Sequence, residues 1–77
     1  MKIEKNLKHV NDITFAEIFE IAVAVENQAK RFLPAKNQPD RFKSVCLVIA
    51  ELETLAKRDI VASPNWFVQE ILRTVEY

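Results

Sequence analysis

Glycine is absent from the chain. Phosphate-cradling loops, dinucleotide fingerprints and nucleophile elbows depend on it, because only a residue without Cβ lets the backbone turn sharply or approach a ligand closely. Composition therefore argues against those enzyme classes. Asn-Gly hairpin turns are missing for the same reason, which lowers any β reading. The single cysteine, Cys46, has no intramolecular partner, so a reducing, cytoplasmic location is expected. The single histidine, His9, has no companion ligands at helical spacing, so neither a metal site nor a cofactor is expected. Eleven cationic residues cancel eleven anionic ones. The chain thus lacks the overall charge footprint of a nucleic-acid binder, although a local basic patch stays open. No apolar run nears the ~18 residues needed to span a bilayer, so no membrane association is expected. The first ten residues are charged and lack the apolar segment of a secretory signal.

What remains is a chain of 77 residues with an apolar fraction of 49%. This length implies one domain, residues 1–77, that buries only about 60% of its unfolded surface. The apolar content is rich for such a chain, and a homo-oligomer, a homodimer in its simplest form, would use the excess.

The longest apolar run is Val45-Cys46-Leu47-Val48-Ile49-Ala50. It sits inside an apolar pattern from Phe42 to Ala56, too long for a strand of ~8 residues. At ~100° per residue, Phe42, Val45, Cys46, Val48, Ile49 and Leu52 fall on one broad face. Lys43, Ser44, Glu51 and Thr54 fall opposite, joined by one large apolar residue, Leu47. A face this wide predicts a central helix with neighbours on two sides.

Three helices are predicted, over 15–32, 38–58 and 64–75. Thr14 and Glu17 form a capping box ahead of the first, with Ile13 and Ile18 placed as a hydrophobic staple. The first helix is expected to bury Phe15, Ile18, Phe19, Val25, Ala29 and Phe32, and Pro34 ends it. Asn37 or Gln38 is expected to cap the second, with Pro39 in its first turn. Ser63-Pro64 opens the third, whose core stripe is Phe67, Val68, Ile71, Leu72 and Val75. The segment 1–11 reads equally as a short amphiphilic fourth helix, with Ile3, Leu7 and Val10 on one stripe, or as a frayed arm. The expected fold is all-α: a small three-helix bundle built from an antiparallel helical hairpin and a C-terminal helix.

Glu26 and Glu53 lie beside the apolar arcs of their helices, each with a lysine four residues on. Desolvation can raise a carboxyl pKa for acid–base work, but an edge ion pair is the simpler account. An offset of 27 aligns Glu26–Arg31 with Glu53–Arg58, as an internal duplication would, but ordinary helix grammar is the simpler account.

No catalytic residue is expected. The candidate partner-binding residues are Trp66, Glu70, Arg73 and Tyr77, which share the outer ridge of the third helix, with Leu47 as a second exposed point. Tryptophan, arginine and tyrosine are the types enriched in binding hot spots. The competing placement folds Trp66 back over Ile60-Val61. The expected function is that of a non-enzymatic adaptor, antitoxin-like protein or inhibitor that binds a larger protein through a helix face. One alternative is a helix-turn-helix-like DNA reader presenting Asn65, Gln69 and Arg73, against which Glu70 and Glu76 would repel phosphates. The other is a purely structural homo-oligomeric subunit.

Overall fold

The computed structural model describes residues 7–75, and Tyr77, one of the candidate binding residues, lies outside them. In chain order it contains β1 (Lys8–His9), α1 (Phe15–Phe32), α2 (Arg41–Ala56), β2 (Val61–Ala62) and α3 (Pro64–Val75). Single 3-10 turns occupy Val10–Asp12 and Ala35–Asn37. This is an all-α three-helix bundle with a minimal two-stranded sheet. No described helix is long and apolar enough to cross a membrane.

The α1 helix starts where its capping chemistry requires. Glu17 N donates to Thr14 Oγ1 at 3.2 Å, and Thr14 N donates to Glu17 Oε1 at 2.9 Å, so two orphan donors are satisfied reciprocally. Lys8 Nζ stands 2.6 Å from the other Glu17 oxygen and ties β1 to this cap. Lys8 first, and then the Thr14 backbone N–H, hold the Glu17 carboxyl below its ordinary range. The helix ends at Leu33, extended before Pro34, and Gln38 Nε2 donates to the freed Leu33 carbonyl at 2.8 Å.

The second helix departs from expectation at both ends. Asp40 is the cap, accepting from Lys43 N at 2.8 Å, and Pro39 is buried ahead of the helix rather than within it. Asp40 wins because its carboxylate meets the orphan N–H groups and the positive helix end together. At the far end α2 stops at Ala56, and the turn closes through Asp59 at φ 56°. That left-handed conformation is open to Asp, whose short polar side chain can bond locally. Here it bonds His9 Nε2. His9 Nδ1 accepts from Asn11 N at 3.0 Å, which leaves the proton on Nε2 to be donated to Asp59.

That contact accompanies the sheet, which the sequence reading did not foresee. β1 and β2 pair antiparallel, Lys8 with Ala62 and His9 with Val61, and Val10 N donates to Ile60 O at 3.1 Å beside them. The described part of the supposed N-terminal helix is therefore a strand and a 3-10 turn.

Packing corrects the expected centre of the bundle. The α1 helix packs along both α2 and α3, which touch each other only lightly, so α1 and not α2 is the central helix. The core holds Ile21 and Val25 of α1, Val48 and Leu55 of α2, and Phe67 and Ile71 of α3. The wheels also place Phe15, Phe19, Phe32, Phe42, Cys46 and Ile49 inside, whereas the structure exposes them all. Conversely, Ser44 is fully buried and Leu47 packs partly against the core. The apolar arc of α2 is broad because it joins a core stripe to an exposed one. The bundle measures 33 × 32 × 21 Å. Its short dimension fits two helix layers of ~10 Å each. The α1–α2 hairpin forms one layer and α3 lies across a single side of it.

Candidate functional site

The outer ridge of α3 comes from its own periodicity. Ser63 caps the helix, its Oγ accepting from Trp66 N at 3.3 Å. From there Trp66, Glu70 and Arg73 recur on one face, while Phe67, Val68 and Ile71 turn inward. Arg73 is exposed, and its guanidinium stands 3.4 Å from the Glu70 carboxylate in a surface pair. Trp66 takes an intermediate position. It is 37% exposed, meets Phe67 edge-on at 5.5 Å between ring centroids, and shares a shallow depression with Leu7, Ile60 and Val61. The indole thus lies partly over the β2 segment and still presents an edge to solvent. Leu47 lies away from this ridge, beside Lys43 and Val75 in a separate groove at the α2–α3 junction.

Beside the ridge the structure opens a groove of about 420 Å³, lined by Phe32, Leu33, Gln69, Leu72 and Arg73. Phe32, the last residue of α1, is 72% exposed at its edge. Periodicity alone places Phe32 in the core, because it continues the apolar period of α1. Leu72 and Arg73 of α3 flank Phe32 there without closing over its ring, so most of it stays open. Gln69 Nε2 donates to Gln28 Oε1 at 3.2 Å and pins α3 to α1 behind the groove. Of the three side chains suggested for reading bases, Gln69 is thus engaged within the protein, while Asn65 and Arg73 are exposed.

A second uncovered surface lies on the opposite side of the hairpin. Phe15 is 86% exposed and Phe42 77%, and Phe19, Cys46 and Ile49 are exposed with them. Their side follows from helix geometry. Gln28, which meets α3, lies about 140° around α1 from Phe15. Leu47, in the groove shared with α3, lies about 140° around α2 from Phe42. Both apolar stripes therefore face away from α3.

Arg41 fastens the two helices under this face. Its Nε stands 2.5 Å from Glu26 Oε1, and its guanidinium carbon lies 5.4 Å from the centroid of the Phe19 ring. Lys30 Nζ adds a 3.3 Å contact to the other Glu26 oxygen. Glu26 is the one buried carboxylate among the described residues. Arg41 first, and Lys30 after it, hold its carboxyl below the ordinary range against the opposing effect of burial. Two cations on one carboxylate make this an ion-paired fastening between α1 and α2. Glu53 is exposed on α2 and does not join it.

The charges also separate along the bundle. The pole formed by residues 26–43 and the last turn of α3 carries Lys30, Arg31, Lys36, Arg41, Lys43 and Arg73 against Glu26, Asp40 and Glu70. The other pole, among the described residues, carries Lys8, Lys57 and Arg58 against Asp12, Glu17, Glu20, Glu51, Glu53 and Asp59. The charges of the described residues are therefore dipolar, which a net charge of zero conceals. No group of three or more His, Cys, Asp or Glu among the described residues is placed to hold a metal ion. Comparison with protein-family models, with curated proteins and with solved structures finds no match to this chain.

Proposed function

We propose that the protein is a small non-enzymatic binding module that docks a larger protein stoichiometrically on the outer face of α3. The observation that carries this reading is the groove between α3 and the end of α1, with Phe32 uncovered at its edge and Arg73 in its wall. An exposed aromatic beside an arginine, next to a concave apolar surface, is the arrangement found at interface hot spots. Trp66 extends it seven residues back along the same ridge. The groove lies at the basic pole, so the fitting ligand is a protein segment with an apolar side chain for the groove and carboxylates for Arg73 and its neighbours. The DNA-reading alternative draws less support, since Gln69 is already hydrogen-bonded and Glu70 flanks the ridge.

Capture on the tagged full chain from the source cell tests this reading, with the wild type compared with Phe32→Ser and Arg73→Glu. Both positions are exposed, so helical circular dichroism should be unchanged. The expected result is one chain retained in equimolar amount by the wild type and reduced at least about tenfold by either substitution. Retention indifferent to both substitutions would overturn the assignment.

A further inference from the structure

The face of the α1–α2 hairpin opposite α3 is apolar at Phe15, Phe19, Phe42 and Cys46, and among the described elements only the turn at Val10–Asp12 adjoins it, beside Ile49. We infer that its occupant is a second copy of this chain, packed antiparallel to form a two-fold homodimer whose interface is centred on Phe15, Phe19, Phe42 and Ile49.

Phe15, Phe19 and Phe42 leave uncovered the equivalent of about two whole phenylalanine side chains, roughly 300–500 Å² at ~150–250 Å² each. That matches the largest single patch of an ordinary monomer, about 300–600 Å², a size that often marks a functional surface. Two copies face to face would bury roughly twice this apolar area. A standard interface buries about 1,600 Å² in total, a little over half of it apolar. Ile49, Cys46 and Ala50 around the rings supply most of the difference.

Charge selects both partner and orientation. Among the described residues, one pole of the bundle has three more cations than anions, and the other has three more anions than cations. A two-fold axis across the helices sets the basic pole of one copy against the acidic pole of the other. Lys30, Arg41 and Lys43 then face the end bearing Glu17, Glu20 and Glu53. An axis along the helices would stack like poles, which opposite-charge pairing disfavours. A surface that complements itself on inversion of direction is what an isologous dimer requires. In this arrangement α2 packs on its own copy, with Phe42 over Ile49 and the two Cys46 side chains near the axis. The central seam is then aromatic and aliphatic, and the charges form its rim.

This dimer leaves both α3 ridges facing outward, so it does not rest on the docking reading above and the two fail separately. Sedimentation equilibrium of the full chain, from low micromolar to near-millimolar concentration, tests it. The wild type is expected to reach twice the 8.9 kDa chain mass. Phe42→Ser and Phe15→Ser should each raise the dissociation constant at least about tenfold while helical circular dichroism is retained. Phe32→Ser should dimerise as the wild type does. A short bis-maleimide should join wild-type chains through Cys46 and fail to join the Phe42→Ser chains. A wild type that stays at single mass to near-millimolar concentration would overturn the proposal, whether the face then belongs to another protein or to a segment of this chain. Dimerisation unaffected by both Phe15→Ser and Phe42→Ser would overturn it as well.

Discussion

Arg41 joins Glu26 across the α1–α2 seam, with 2.5 Å between its Nε and a carboxylate oxygen, and in the same pose its guanidinium lies against the ring of Phe19. One side chain thereby links the buried carboxylate, the hairpin and the exposed aromatic face. Glu26→Gln removes the charge and leaves Arg41 a neutral acceptor in place of a charged one. At neutral pH the variant should unfold at lower urea than the wild type, and the gap should close in acid, where the wild-type carboxylate is also neutral. A gap that is equal at both pH values would contradict the pairing.

Wild-type stability should itself fall in acid. The Glu26 and Glu17 carboxyls are held below their ordinary range, chiefly by Arg41 and by Lys8. An acid whose folded pKa is depressed binds protons more readily in the unfolded chain. The contribution of both pairs is therefore present above the ordinary carboxylate pKa of ~4.3 and is lost as pH falls through the lower folded values. Urea midpoints measured from neutral pH downward should decline over that window and hold level above it.

Ser44 is fully buried and its hydroxyl has no hydrogen-bond partner. A buried polar group without a partner carries a desolvation penalty of about 1–3 kcal/mol. Ser44→Ala removes the hydroxyl at little change in volume and should stabilise the fold by about 1 kcal/mol. For a domain of this size that corresponds to about 4–8 °C in Tm. A lowered melting temperature would show that the hydroxyl is satisfied in solution.

Asp59 combines a left-handed backbone with a bond to His9. Asp59→Ala loses both advantages and should cost about 1–2 kcal/mol, whereas Asp59→Asn, which tolerates the same backbone, should cost less. Thermal melts of the two variants decide the order.

Trp66 covers part of Phe67 edge-on. Trp66→Ala should lose the aromatic pairing, about 0.5–1.5 kcal/mol, together with some burial. Phe15→Ser and Phe42→Ser, at more exposed positions, should change the stability of the monomer by only about 0.5 kcal/mol or less.

The legible parts of the fold were those with a local cause. Thr14 with Glu17, and Ser63 with Pro64, place helix starts because capping acts within one turn. The boundary at Asp40 was missed because Asn37 and Gln38 offer competing caps, and the buried Pro39 settles the choice only in three dimensions. The β1–β2 pair was not legible at all, since two-residue strands some fifty positions apart leave no period. Phe15, Phe19 and Phe42 were read as core for a definite reason. Periodicity reports that a helix has apolar neighbours on a face and is silent on whether they belong to the same chain. Including Phe42 and Cys46 rotated the apparent core of α2, which sent Ser44 and Leu47 to the wrong side. On α3, by contrast, the inward stripe of Phe67, Val68 and Ile71 separated cleanly from Trp66 and Arg73. The groove beside that ridge needs Phe32, and only tertiary packing shows that Leu72 and Arg73 leave its ring open.

The most direct test of the whole account is native mass spectrometry of the complex captured from the source cell. Two copies of this chain with two copies of one partner are expected for the wild type. One copy with one partner is expected for Phe42→Ser, and no partner for Phe32→Ser. A complex that keeps its partner after both Phe32→Ser and Arg73→Glu, and loses it after Phe42→Ser, would contradict the account.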